Sequence, residues 1–220
     1  MTRAWAHARW ELGILLRNGE QVLLTLLIPV GLLLLTRSFA PVVATSVLAA
    51  MFTSLAIGTG FERRSGALRF LGVTPLRRWE LMLGKLFASL IILLISLALA
   101  SILGAALGCL PAWSLSQWCL AVLLTLLGSC AAAAWALTLA GNVRAEAVLA
   151  IANGIFIALV IAALLLPGPL AGAWATAVLV IPSVALAHGL SDPNWTSAAV
   201  LLAWSVVGVG VVSRRFSWDD

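Results

Sequence analysis

Long apolar stretches separated by short polar segments dominate the sequence. A helix needs about 20 apolar residues to cross the ~30 Å hydrocarbon core of a membrane. By this measure the pattern predicts six membrane-spanning helices, at residues 21–36, 41–60, 82–108, 117–140, 146–166 and 196–212. The first is short, and Pro29 within it removes one backbone hydrogen bond, which predicts a kink. Residues 37–41 then form a predicted tight turn.

Two further segments depart from this simple pattern. Residues 1–20 place tryptophans and charged residues on different faces of a helix, which predicts an amphipathic connecting helix at the membrane surface. A downward extension of the first span is the alternative. Residues 167–195 are moderately apolar but broken by Pro182, and neither half is long enough to cross. They predict an outer re-entrant helical hairpin between spans 5 and 6.

The composition agrees with a membrane protein. Hydrophobic residues make up 63% of the 220 residues and charged residues only 10%. This leaves too little polar surface for a soluble globule of this size. The expected fold class is therefore an all-α polytopic membrane protein with no soluble domain. The net charge of +5 comes from basic residues at the ends of apolar runs, so nucleic-acid binding is not expected.

The distribution of basic residues orients the predicted spans. Residues 61–85 hold six of the thirteen Lys and Arg residues. Each costs at least ~2.5 kcal/mol at the centre of a bilayer, and loops rich in them lie in the cytoplasm. Arg37 is then the single cation outside, and both termini are cytoplasmic. If residues 167–195 crossed the membrane completely, Arg214 and Arg215 would lie outside, against this rule.

Several residues inside the apolar spans are candidate contacts for a transported molecule. Thr45, Phe52 and Thr53 share one stripe of the second span, and Asn153 lies inside the fifth. Small and polar residues at such positions also serve helix packing and interhelical hydrogen bonds. From the residues alone, packing is the favoured interpretation.

The three cysteines, Cys109, Cys119 and Cys130, have no metal-ligand spacing. We interpret them as small buried hydrophobic residues. Cys109 and Cys119 flank one predicted outer loop, so a bond between them stays an open alternative.

The basic segment at residues 61–85 is longer than a simple connection requires. Residues 62–71 predict a short amphipathic helix with Leu68 and Leu71 on one side. Thr74 followed by Pro75 predicts the start of a second helix, because threonine caps helices and proline suits their first position. A helix that lies crosswise and is joined to two spans would act as a lever on both.

This segment also resembles a known family. The run ERRSGALRFLGVTP from Glu62 to Pro75, followed by Gly84 and Lys85, resembles the first cytoplasmic loop of ABC-2 type permeases, E-R-x-x-G-x-L-x-x-L-x-x-x-P. Residues 214–218 are similar to the RRF ending of that family, and residues 181–189 to its outer re-entrant segment. Arg69 departs from the pattern, since many members carry glutamate there.

The resemblance implies one ABC-2 type transmembrane domain over residues 1–220, in the inner membrane of a bacterium. The chain would be the permease subunit of an exporter that works by alternating access, as a homodimer or related heterodimer with two copies of an ATPase subunit. The loop would be the coupling helix. The residues implied in ATPase coupling are Glu62, Arg63, Arg64, Gly66, Leu68, Arg69, Leu71 and Pro75. Those implied in the substrate path are Thr45, Phe52, Thr53, Asn153 and Phe156.

The chain has no usual means of binding ATP phosphates. Its only Gly-Lys pair, Gly84 and Lys85, is followed by leucine instead of the serine or threonine of a P-loop. We therefore expect no cofactor in this chain, with ATP and Mg²⁺ bound by the partner subunit. The substrate is expected to be hydrophobic or amphipathic, such as a drug-like molecule, lipid, haem or peptide.

Two other classes of protein fit less well. An ion-coupled secondary transporter is the main alternative, but it needs ionisable groups at mid-membrane, and every acidic residue falls in a predicted loop or at a span end. A membrane enzyme would need grouped catalytic side chains. The two histidines, His7 and His188, lie on opposite predicted sides of the membrane.

Overall fold

The computed structural model describes residues 19–65, 78–166 and 177–215, and a few isolated positions before residue 19. The described residues form seven helices, which confirms the all-helical prediction. They are α1 (residues 19–36), α2 (Phe39–Arg64), α3 (Arg78–Ala106), α4 (Leu115–Asn142), α5 (Ala145–Leu165), α6 (Pro182–Ser191) and α7 (Trp195–Arg215).

Five of these helices, α2, α3, α4, α5 and α7, are long and apolar enough to cross a membrane. The chain is thus a multi-pass membrane protein. The apolar part of α1, Leu23–Thr36, is shorter than the ~20 residues of a full crossing, so the sixth span remains a prediction. The predicted connecting helix at residues 1–20 and the first half of the predicted hairpin lie almost wholly outside the described residues.

The corner between α1 and α2 is tighter than predicted. Only Arg37 and Ser38 are non-helical, whereas the sequence predicts a turn over residues 37–41. Arg37 adopts the left-handed conformation (φ 49°), and its N–H donates to the carbonyl of Leu33 at 2.9 Å, which ends α1. Pro41 fits within the first turn of α2 because N–H groups there have no partner in the helix.

Both α1 and α2 contain a π-helical stretch. In α1 it covers Leu23–Leu27 and ends two residues before the buried Pro29. Proline has no N–H, so Pro29 cannot donate a hydrogen bond to the carbonyl of Thr25. In α2 it covers Leu48–Ser54, and no proline or glycine in that stretch accounts for it. This π-helical stretch changes the angle between successive side chains of α2. The side chains before and after it therefore do not lie on the one regular stripe that the sequence predicts.

The helix α2 is the centre of the bundle. Every residue of its apolar stretch is buried, and it packs against α1, α3, α4, α5 and α6. The outer faces of α3, α5 and α7 instead expose leucine, isoleucine and valine side chains, as expected of surfaces that contact lipid. Polar side chains of α2 are therefore enclosed by the chain itself.

A buried hydrogen bond joins α2 to α3. Ser96 Oγ donates to Ser46 Oγ at 3.0 Å, and Ser46 Oγ donates to the carbonyl of Val42 at 3.0 Å. Both serines are buried. The pair links two helices at positions 50 residues apart in the chain.

We expect Ser96→Ala to lower the free energy of unfolding by about 0.6 kcal/mol, the average for interhelical hydrogen bonds in a membrane protein. The measurement is unfolding of the purified chain in mixed micelles of increasing denaturing-detergent content. Ser191→Ala is the matched control, since the hydroxyl of Ser191 bonds only within its own helix, to Ala187. An equal loss in both variants would contradict an interhelical role.

The helices α4 and α7 run parallel and pack along each other. Ser205 Oγ donates to the carbonyl of Leu127 at 2.9 Å, and further along both helices Gly208 lies against Ala134 and Trp135. Small residues of α4 permit this close approach. Because the two helices run the same way, α7 ends beside the end of α4.

The same end of the bundle collects most of the described basic residues, and we call it the charged end. The end of α2 and the start of α5 both lie there, since Gly60 packs against Val148. The cations there whose side chains the structure describes are Arg63, Arg64, Lys85, Arg144 and Arg214. Arg37 lies at the opposite end of α2.

Connections at the charged end are shorter than predicted because helices continue into them. The helix α2 extends to Arg64, so residues 62–64 form its last turn, and the predicted separate helix does not begin at Glu62. Between α4 and α5 only Val143 and Arg144 are non-helical, although the sequence predicts a loop over residues 141–146. Residues 66–77, the middle of the basic segment, lie outside the described residues.

All three cysteines are free. Cys119 and Cys130 are exposed on the outer surface of α4, so their interpretation as buried residues is wrong. Cys109 is half-buried, and its thiol donates to the carbonyl of Leu107 at 3.5 Å.

Candidate functional site

The last turn of α2 contains a buried ion pair with α3. Lys85 Nζ donates to Glu62 Oε1. The side chain of Lys85 is only 2% exposed and that of Glu62 16% exposed. An ammonium this deeply buried needs a nearby negative charge, because desolvation disfavours an isolated ion. The pair joins the two helices that flank the basic segment.

The next two residues of α2 contact α4 and α5. Arg63 Nη1 donates to the carbonyl of Ala140 at 3.0 Å, in the last turn of α4, where carbonyls lack partners in the helix. Arg64 Nη1 lies 2.9 Å from Glu146 Oε1, in the first turn of α5. Both side chains of this second ion pair are more than half exposed, so it contributes about 0–1 kcal/mol.

Three consecutive charged residues thus tie the end of α2 to α3, α4 and α5. We call Glu62, Arg63 and Arg64 the anchor turn. A force on the connection between α2 and α3 would reach all four helices through the anchor turn. The sequence carried one usable signal for it, opposite charges at the two ends of the basic segment, and no signal for the contacts to Ala140 and Glu146.

Other residues predicted to couple to an ATPase lie in the part of the chain that the structure does not describe. They are Gly66, Leu68, Arg69, Leu71 and Pro75. Their assignment remains a prediction.

A half-open cavity of about 530 Å³ lies between α2, α4, α5, α6 and α7. Its lining is mostly apolar, and α4 contributes more lining residues than any other helix. Trp135 of α4 and Trp204 of α7 meet edge to face at its wall, with ring centres 5.6 Å apart. A volume of this size lies within the range of small-molecule sites. We call it the main cavity.

Of the five residues predicted to line the substrate path, Phe52 lines the main cavity. Thr45 is fully buried, and its hydroxyl donates to the carbonyl of Pro41 at 2.8 Å. Phe156 is buried against Leu48 and Ala49 of α2.

The remaining two carry polar atoms that have no hydrogen-bond partner among the described residues. They are the fully buried Thr53, through Oγ1, and the partly buried Asn153, through Oδ1. Thr45 and Thr53 are fully covered by helices of their own chain. A molecule would reach them only when α2 separates from its neighbours.

A second, smaller cavity of about 210 Å³ lies between α2, α3 and α4. It is lined by Trp113 and Trp118, whose ring centres lie 4.8 Å apart, and by the buried Ser129. The hydroxyl of Ser129 has no partner among the described residues. In the described part of the chain, no group of three or more His, Cys, Asp and Glu residues is placed to hold a metal ion.

Comparison with models of protein families gives a match over most of the chain. A search of curated proteins finds no match for this chain. The family model described as ABC-2 family transporter protein matches residues 28–212. The matched region contains α2–α6 whole, together with the second half of α1 and most of α7. With its multi-pass apolar bundle, the chain therefore belongs to the ABC-2 transporter family, as a membrane permease domain that itself lacks an ATPase domain and relies on an ATPase partner.

Proposed function

We propose that the chain is the permease subunit of an ATP-driven exporter in the inner membrane of a bacterium. Two copies, identical or closely related, would form the membrane part, with two ATPase subunits bound on the cytoplasmic side. ATP binding would bring the ATPase subunits together and switch the permeases between inward and outward access. The cargo is a hydrophobic or amphipathic molecule of the drug-like, lipid, haem or peptide class.

The anchor turn is the observation that carries this proposal. A permease driven by a separate ATPase needs a rigid route from the contact surface to several membrane helices. Glu62, Arg63 and Arg64 supply one, because each contacts a different neighbouring helix. Under this proposal they transmit the movement. Gly66, Leu68, Arg69, Leu71 and Pro75 would provide the surface that the ATPase grips.

The placement of the described cations supports the proposed orientation. Five cations whose side chains are described collect at the charged end, where α2, α4 and α7 finish. Since loops rich in Lys and Arg remain in the cytoplasm, the charged end is assigned to that side. The ATPase would then meet the bundle where the anchor turn lies.

The apolar interior supports the proposed class of cargo. Phe52 borders the main cavity, while Thr53 and Asn153 each hold one polar atom without a partner among the described residues. Such a setting suits an apolar molecule with few polar groups. Thr45 and Phe156 would join the path between two permeases once α2 and α5 move apart.

The test is co-expression of the chain with a soluble Walker-motif ATPase encoded beside it. We expect the two to copurify, and Arg63→Ala to lower the amount transported per ATP by about 5- to 150-fold, the usual range of coupling between sites. Transport is measured in nanodisc-derived vesicles with cargo chosen by stimulation of ATPase activity. Arg37→Ala, at the opposite end of α2, is the matched control and should leave the ratio unchanged.

Two results would contradict the proposal. One is transport by the chain alone, driven by an ion gradient, which would favour a secondary transporter. The other is an equal effect of the Arg63 and Arg37 variants on the transport ratio.

A further inference from the structure

We propose that the main cavity is a ligand site complete within one chain. Its ligand would be an elongated apolar molecule that carries one hydrogen-bonding carbonyl or ester oxygen. This goes beyond the proposed function, because such a site requires neither the ATPase nor a second permease.

The main cavity is elongated along α4. The lining residues of α4 recur every three or four positions from Gly128 to Asn142 and so form one continuous face. At 1.5 Å per residue this face is about 21 Å long. The helix α6 closes one end, where Leu186 packs directly on Gly128. At the other end Asn142 is exposed, at the charged end of the bundle.

Two lining residues of the main cavity carry a buried polar group without a partner among the described residues, Ser183 through its hydroxyl and Trp135 through Nε1. Ser183, in the first turn of α6, lines the cavity and is 1% exposed. Its hydroxyl has no hydrogen-bond partner among the described residues. An unsatisfied buried polar group costs about 1–3 kcal/mol. A ligand oxygen at the α6 end of the cavity would remove this cost.

Other polar groups on the lining are already engaged or directed elsewhere. Thr138 Oγ1 donates to the carbonyl of Ala134 at 2.8 Å, and Asn142 Nδ2 donates to the carbonyl of Thr138 at 2.7 Å. Trp204 Nε1 donates to the carbonyl of Val180 at 2.7 Å. Trp135 Nε1 has no partner among the described residues but is directed at α7, where it would lie 3.0 Å from a Cβ atom at Gly208.

Water molecules would also find few hydrogen-bond partners at the α6 end of the main cavity. A buried water needs two to four polar partners, and Ser183 offers only one hydroxyl. An apolar chain with a single oxygen matches the lining better. The oxygen would meet Ser183, and the chain would extend along the α4 face past Trp135 toward Asn142.

The test uses the purified chain alone in nanodiscs and the methyl ester of a long-chain fatty acid with a diazirine on its chain. After irradiation, mass spectrometry locates the labelled residues. We expect saturable labelling of the α4 face and of α7, competed by the unlabelled methyl ester. A parallel arm replaces the ester by a phosphatidylcholine with the same diazirine acyl chain. This arm distinguishes a membrane lipid from a free amphiphile as the source, and saturable cavity labelling in either arm supports the site.

Two variants test the assigned chemistry. Ser183→Ala should weaken competition by the methyl ester about three- to tenfold, the effect of one hydrogen bond, and leave competition by the parent hydrocarbon unchanged. Ser129→Ala is the matched control, since Ser129 is also buried with an unpartnered hydroxyl but lines the smaller cavity. Ala131→Leu, which fills the main cavity, should abolish saturable labelling.

Several outcomes would overturn the proposal. They are labelling that does not saturate, labelling confined to outward residues such as Val122 and Leu126, or equal effects of the Ser183 and Ser129 variants. Occupation of the cavity by water alone, seen in an experimental structure of the chain in nanodiscs, would also overturn it. Melting temperatures of all variants confirm that a loss of labelling is not a loss of folding.

Discussion

Glu62→Gln is expected to lower the free energy of unfolding by about 3–5 kcal/mol, the usual effect of removing one partner of a buried ion pair. The physical reason is the burial of Lys85, whose side chain is 2% exposed beside the Glu62 carboxylate. Glutamine has the same shape but leaves the ammonium without this negative charge. The measurement is the unfolding midpoint of the purified chain in mixed micelles.

The exposed ion pair of the same turn provides the control. Arg64→Gln breaks the contact with Glu146, in which both side chains are more than half exposed. We expect a change of about 0–1 kcal/mol. The double variant Glu62→Gln, Lys85→Met should recover most of the lost stability, because it removes both charges. A similar loss in the Glu62 and Arg64 variants would refute the importance of burial.

Gly189→Ala is expected to be the second most disruptive change, lowering stability by about 1–3 kcal/mol through overpacking. Gly189 of α6 lies where α6, α4 and α7 meet. A Cβ atom there would lie 2.7 Å from Ser197 Cβ and 3.0 Å from Leu124 Cδ1. Ser197 Cβ is fixed to the backbone of α7, so the helices themselves must move apart.

Two other glycines allow a matched comparison. At Gly128 the nearest atom to an added Cβ would be Leu186 Cδ2, at 2.9 Å, the flexible end of a side chain, so Gly128→Ala should cost little. At Gly154 nothing lies within 4 Å of such a Cβ, and alanine should gain up to ~1 kcal/mol from helix propensity. Thermal unfolding of the three variants in detergent gives the comparison. If Gly189→Ala were as stable as Gly154→Ala, the close packing of α6 would be wrong.

The pattern of apolar residues predicted the long helices well, because it depends only on residues that are close together in the chain. The predicted spans at residues 82–108, 117–140 and 146–166 correspond to helices that begin and end within about five residues of them. Helix ends were predicted less accurately where charged residues extend a helix beyond its apolar stretch. Glu62, Arg63 and Arg64 appeared to start a new helix by their charge, yet they end α2 because each finds a partner on a neighbouring helix.

The candidate site was less predictable than the fold. Phe52, Thr53 and Asn153 were chosen as polar or aromatic exceptions in apolar spans, and only Phe52 borders the main cavity. Ser183 carried no signal, since a serine after a proline is a common helix start. Its importance comes from helices far apart in the sequence that enclose it.

The sequence by itself determined that this is a multi-pass helical membrane protein of the ABC-2 family with a basic segment between its second and third long apolar stretches. It did so because backbone groups in hydrocarbon must be satisfied within each helix, which makes the helical signal local. Only the tertiary structure decided that Lys85 pairs with Glu62, that α7 runs parallel to α4, and that α2 is the buried centre. These depend on contacts between side chains distant along the chain, and packing and electrostatics in the folded bundle select among them.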